Sequence, residues 1–213
     1  MGGGNSTADI AIFIAEDRGY FKDEGIDWED VPLNAAPDIT TQVIGGNVQF
    51  GGPGTDPSLF NAATRGVAVK IVGYNTTIDP SSISAGFMVR ADLVDSGRYK
   101  TPADFKGMKF GIPTPPGAMS DVYLDRAGQK MGFNLGDLDR TFIPFTNMPA
   151  AMANKAFDAV YAFEPAVTQI ESQGTGKMEV PLGQVFPGMA AQILIISPEY
   201  ATQQPEVVTR AMA

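Results

Sequence analysis

The sequence predicts an α/β fold in two lobes, each a mainly parallel sheet flanked by helices. Three observations carry that expectation. Short apolar runs alternate with helical segments along the 213 residues. One strand-turn-helix device occurs twice. Val48–Phe50 is an apolar run, Asp56-Pro57 opens a helix and Gly66 closes it; Phe157–Phe163 is apolar, Glu164-Pro165 opens a helix and Gly174 closes it, at the same spacing. In both copies an acid stands at or beside the cap and a proline with a pre-set φ takes the first helical position. Finally, the two halves align element by element. Two such lobes imply a cleft, with the strand-to-helix turns pointing into it.

In chain order, Asn5-Ser6-Thr7 caps a helix whose Ile10, Phe13 and Ile14 share one apolar face. Ile26–Leu33 reads as a strand with the only tryptophan, Trp28. A helix follows from Pro37 to Ile44, then the Val48 strand, the Asp56–Arg65 helix and a buried strand from Val67 to Gly73. Asn75–Ser82 reads as a polar loop. Ser84–Arg90 is extended and apolar, and Thr101 caps a short helix with Asp104 at its third position. Lys109–Ile112, Thr141–Phe145, Val160 and Lys177–Val180 are strand positions, separated by helices at Ala118–Met131, Met148–Asn154 and Ala166 onward. Met189–Ile196 is a long apolar run, followed by helical segments to the end. Relative to the second half, the first half lacks one strand, which belongs before Asn5, and Ala213 falls inside a helix. The chain therefore reads as a fragment; a fold that begins on a helix is the other reading.

The composition excludes much chemistry. Histidine and cysteine are both absent, which removes disulfides, thiol nucleophiles, Cys/His metal sites, the Ser-His-Asp triad and imidazole acid–base work. Carboxylate, lysine or tyrosine chemistry and a carboxylate-held Mg²⁺ stay open. A net charge of −9 argues against nucleic acid and anionic membranes. No apolar run reaches the 18 residues a membrane span needs, and the first residues do not read as an export signal.

Four turns are the candidate ligand-binding elements: Gly3-Gly4-Asn5-Ser6-Thr7, Gly52-Pro53-Gly54-Thr55-Asp56, Thr114 through Gly117, Ala118, Met119 and Ser120, and Phe163-Glu164. Each offers backbone N–H groups at a helix start, and the glycines allow close approach. The Gly51–Thr55 stretch has neither a P-loop lysine nor the full GxGxxG spacing. Asp56 and Glu164 serve either a ligand's N–H groups or the helix each precedes. These turns carry no Lys or Arg, and Arg90 is the one cation expected nearby, so the candidate ligand is neutral or amine-bearing. Tyr74, Phe163 and Met119 are candidate stacking or packing groups.

Five segments stand out in chain order: AIFIAEDRGYFKDEGID, VIGGNVQFGG, FNAATRGVAVKIVG, YKTPADFKGMKFGIP and FDAVYAFEP. Together they resemble solute-binding proteins of ABC importers of the nitrate/sulfonate/taurine and thiamine-precursor type. The resemblance runs in order from about Ala8 to Pro205, with Gln49 where the family usually has Asp. It implies the two-lobed type II periplasmic binding fold, with lobe I over 1–84, lobe II over 85–190 and a return to lobe I over 191–213. The crossovers would be Ser84–Arg90 and Met189–Ile196. It also implies a monomeric, periplasmic or cell-envelope protein that binds a small solute by hinge closure without cofactor, metal or catalysis, and hands it to a permease and its ATPase. Two alternatives stay open: a ligand-sensing regulatory domain on this fold, and an enzyme related to the thiamine-pyrimidine synthases, whose histidine and cysteine-rich segment are missing here.

Overall fold

The computed structural model describes residues 1–3, 7–33 and 36–212. The chain divides into two compact units, Met1–Thr77 with Ala190–Ala213, and Ile78–Met189. Residues 78–84, read from sequence with lobe I, belong to the second unit. Ile78 exchanges backbone hydrogen bonds with Met189 and Gly188, and the Ser84 carbonyl accepts from the Glu164 N–H.

The first unit holds a five-stranded sheet in the order β2-β1-β3-β10-β4. Its strands are β1 (Gly2–Gly3), β2 (Val31–Pro32), β3 (Phe50–Gly51), β4 (Lys70–Thr77) and β10 (Ala190–Ile196). β1 runs parallel to β2 and β3, while β10 lies antiparallel between β3 and β4. The strand expected to be missing before Asn5 is therefore present. Gly2–Gly3 fills the position, and its two glycines carry no apolar pattern by which a strand is recognised. β4 departs from the expected buried strand at Val67–Gly73: it begins at Lys70, none of its residues is fully buried, and it continues past Gly73. Asn75, Thr76 and Thr77, read as loop for their polarity, stay in the strand because β10 pairs with it as far as Thr77.

Val43, Val48, Leu59, Ile193 and Ile195 pack on one side of this sheet, and Phe50, Leu194 and Ile196 belong to a second cluster with Trp28 and Tyr200 at its margin. The Trp28 indole lies flat on Phe21, centroids 4.0 Å apart and planes 2° apart. The helix at Ile10–Asp17 forms as expected, yet Ile10, Phe13 and Ile14 are exposed rather than buried.

The second unit carries the order β7-β6-β8-β5-β9: β5 (Ala85–Arg90), β6 (Lys109–Ile112), β7 (Asp139–Phe142), β8 (Ala159–Phe163) and β9 (Gly176–Pro181). β6 is parallel to β7 and β8, and β5 is antiparallel to β8 and β9. A strand of this unit covered on both faces should be apolar throughout; β8, whose first four residues are buried, meets that rule. Phe87, Phe105 and Phe110 meet edge to face, and Met88, Met148, Met152, Val160 and Ile170 form a fully buried cluster. The Asp104 carboxylate accepts from the N–H groups of Thr101 and Lys100 at 2.9 and 2.8 Å, the reciprocal half of the predicted cap. The Met119–Met131 helix ends at Gly132 with φ +88°, where a side chain would be strained.

Candidate functional site

In the first unit the C-terminal ends of β1, β3 and β4 and the start of β10 lie at one edge of the sheet. This is where open α/β sheets bind ligands. Asn5 and Ser6 lie outside the described residues, and Thr7 opens a short 3₁₀ helix ending at Asp9. After β3 the chain turns through Gly52–Asp56. Gly54 bridges to Gln192. The Thr55 N–H donates to the Ala191 carbonyl at 3.0 Å, and its hydroxyl donates to the Ala190 carbonyl at 2.6 Å. Asp56 is buried, and its Oδ1 accepts from the Ser58 N–H at 2.8 Å with Pro57 at the first helical position. Tyr74 projects from β4 with 64% of its surface exposed.

Between these elements lies a buried amide network that sequence reasoning missed. Gln192 donates through Nε2 to Asp9 Oδ1 at 2.7 Å and to the Gly52 carbonyl at 2.8 Å. Its Oε1 accepts from Asn75 Nδ2 at 3.1 Å. Asp9 and Gln192 are 3% and 6% exposed, so these bonds replace water rather than compete with it. The available signal was Gln192 itself, the one polar residue in the run from Met189 to Ile196.

In the second unit the C-terminal ends of β6, β7, β8 and β9 and the start of β5 share an edge. The Thr114 hydroxyl donates to the Ser120 hydroxyl at 2.7 Å, and Ser120 is fully buried. Gly117, with φ +87°, donates its N–H to Asp121 Oδ2 at 2.7 Å. Ala118 donates to the Pro115 carbonyl at 3.2 Å, and Met119, half-buried, starts the helix. Asp121 also pairs with Arg140, so one carboxylate ties the loop to β7. Phe163 is half-buried and packs against Phe145, centroids 4.8 Å apart and planes tilted by 35°. Neither Phe145 nor Arg140 stood out in the sequence. Burial, with Tyr123 beside it, pushes the Tyr161 phenol well above its ordinary value.

The two acid-proline turns differ. The Glu164–Pro165 peptide is cis, and Pro165 precedes the Ala166–Ser172 helix instead of occupying its first turn. Glu164 Oε2 accepts from the Thr168 N–H at 3.1 Å and Oε1 from the Thr168 hydroxyl at 2.8 Å. Arg90 is the clear departure from expectation. Because β5 runs antiparallel to β8, Ala85 faces Phe163 while Arg90 reaches the opposite end of the sheet. There its guanidinium is held by Asp92 at 2.6 Å and Asp158 at 3.2 Å.

A family model described as "NMT1/THI5 like" matches residues 6–213. No curated protein sequence matches the chain. Among solved structures, the chain is similar to the alkanesulfonate-binding protein SsuA of Xanthomonas axonopodis pv. citri, bound to MOPS. The TM-score is 0.76 at 21% identity, covering 99% of this chain and 69% of that one. The periplasmic aliphatic sulphonate binding protein SsuA of Escherichia coli matches at TM-score 0.76 and 19% identity, over 96% and 67% of the two chains. The periplasmic nitrate-binding protein NrtA of Synechocystis PCC 6803 matches at 0.70 and 17%, over 96% and 56%. The chain thus spans between about half and two thirds of the length of these proteins, and at such identities the likeness establishes the periplasmic-binding-protein fold.

Proposed function

Because the chain belongs to the NMT1/THI5-like family, we propose that it is the solute-binding component of an ABC importer, capturing a small polar or heterocyclic solute outside the cytoplasm and releasing it unchanged. The strand-end loops of each unit are the candidate solute contacts, and hinge closure, which the family resemblance implies, is the proposed mode of capture. A permease and its ATPase receive it. The binding functions named for the similar sulfonate and nitrate proteins support the general role.

The observation that carries the reading is the first unit's strand end. A loop fixed by Pro53 and Pro57 lies against the buried Asp9–Gln192–Asn75 network. This is a rigid hydrogen-bonding surface suited to holding a polar molecule in one orientation. In the second unit, Thr114, Ser120 and Glu164 are engaged with their own helices, and the Phe145–Phe163 pair offers an apolar face.

A thermal-shift screen tests the proposal, using alkanesulfonates, taurine, nitrate, aromatic carboxylates, aminopyrimidines and riboflavin. A solute at 100 times its Kd adds about 2.7 kcal/mol, a rise of a few degrees in midpoint for a chain this size. A saturable rise with the solute recovered unchanged is the expected result. A cooperatively folded chain that no solute moves, or a solute consumed on incubation, overturns the proposal.

A further inference from the structure

We infer that Gln192 is a positioning residue that locks the Asn75 carboxamide with its oxygen turned outward, so that this strand end accepts hydrogen bonds and selects a solute bearing N–H or O–H donors. The inference rests on the solute-binding reading above and names the chemistry of its ligand.

A glutamine amide donates twice through nitrogen and accepts through oxygen. The Gly52 carbonyl can only accept, and it lies 2.8 Å from Gln192 Nε2. That contact alone fixes which way the amide faces, and the second N–H goes to Asp9 at 2.7 Å. The reversed amide would set Oε1 against two acceptor oxygens in a buried place, where no water relieves the repulsion. Oε1 therefore faces Asn75, and only the Asn75 Nδ2 can meet it, as it does at 3.1 Å. Oδ1 of Asn75 is left without a partner among the described residues. The space is also reserved. A Cβ on Gly52 would stand 3.3 Å from Gln192 Nε2 and 3.5 Å from Asn75 Nδ2.

The neighbouring groups have the same polarity. The Thr55 hydroxyl spends its proton on the Ala190 carbonyl, and the Thr76 hydroxyl spends its proton on the Ala8 carbonyl at 3.0 Å. Both leave oxygen lone pairs only. The positive end of the Pro57–Thr64 helix is met by the Asp56 carboxylate, and Pro57 brings no N–H. Nitrate and sulfonate groups present acceptor oxygens, and at Asn75 Oδ1 they meet another acceptor; the second Nδ2 proton is the one donor that the Asn75 side chain keeps. An amine, amidine or amide N–H fits there.

The test uses the ¹⁵N-labelled chain and two pairs of probes with one skeleton and opposite polarity: acetamidine with acetate, and benzamidine with benzoate. Deuterium exchange of the side-chain amides should show both Gln192 protons slowed and one of the two Asn75 protons slowed. Each amidine should shift the Asn75 side-chain resonance and bind about tenfold more tightly than its carboxylate twin, the worth of one well-placed hydrogen bond. Asn75→Ala should abolish that preference, and so should Gln192→Met where it folds. A carboxylate that binds as tightly as its twin, a preference that survives Asn75→Ala, or twins that leave Asn75 unmoved overturns the inference. A panel solute that binds without moving Asn75 overturns it too while leaving the importer reading intact. A folded chain that binds neither twin nor any panel solute takes both down.

Discussion

Both oxygens of the Glu164 carboxylate close on Thr168, one on its hydroxyl at 2.8 Å and the other on its backbone N–H at 3.1 Å. Asp56 does the equivalent work nearer the turn, its Oδ1 accepting from the N–H of Ser58, two residues on. In each copy of the acid-proline turn, the acid satisfies a helix donor that would otherwise be orphaned. Thr168→Val removes the hydroxyl donor and keeps the shape. It should lower the unfolding free energy by about 1 kcal/mol, read by urea denaturation, with the fold intact by circular dichroism.

Gly86 lies on β5 with no room for a side chain. A Cβ there would run into the Val180 carbonyl and stand 2.6 Å from the Met178 sulfur and 3.0 Å from the Pro181 Cα. The carbonyl and the Cα belong to the backbone of the paired strand β9, so they cannot rotate away. Gly86→Ala should therefore cost about 2–3 kcal/mol, as overpacking does in a close-packed interior. The same substitution at Gly136, where a Cβ meets nothing within 4 Å, should change stability by less than about 0.5 kcal/mol.

Acid should weaken the second unit through named carboxylates. The Arg90 guanidinium, together with Lys155, holds the Asp92 carboxyl below its ordinary 3.8, and the Thr101 and Lys100 N–H groups do the same to Asp104. Between the lowered folded value and 3.8 the unfolded chain binds more protons, so stability rises with pH there. The contribution is complete above 3.8 and is lost as pH falls through the folded value. Asp104→Asn should be less stable than the parent at neutral pH, and the gap should close as the pH is lowered. A gap that stays constant across an acid denaturation series would rule out this assignment.

The alternation of strands and helices was legible in the sequence because buried strands are apolar throughout. Val160 in β8 and Ile193 in β10 sit in runs that no surface segment would carry. Gly2–Gly3 was not legible, since two glycines become a strand only when Val31, Pro32 and Gly51 flank them. Arg90 was misplaced for a related reason. Its position depends on β5 running against β8, a fact of topology that no local pattern encodes. The turns carrying Thr55 and Ser120 could be found from glycine, proline and capping chemistry. Which of their hydrogen bonds remain free for a ligand could not, because their partners at Ala190 and Thr114 are set by tertiary pairing.

Arg90 and Asn75 offer a paired test of where binding takes place. The Arg90 side chain is 12% exposed and bridges Asp92 and Asp158, while Asp158 Oδ2 also accepts from the Lys109 N–H at 3.1 Å. Arg90→Met leaves Asp158 without its cation in a half-buried setting, which should cost about 1–3 kcal/mol. Because Arg90 stands at the end of its sheet away from Phe163 and Glu164, the midpoint rise produced by a bound solute should equal the parent's, measured upward from a lower starting midpoint. Asn75→Ala gives the other outcome. Its removal strips the buried Gln192 Oε1 of its donor, which should cost about 1–3 kcal/mol and lower the starting midpoint, and here the solute-induced rise should shrink as well. Thermal-shift titrations on the two variants separate stability from binding. A solute increment lost in Arg90→Met and kept in Asn75→Ala would move the binding site to the other end of the sheets.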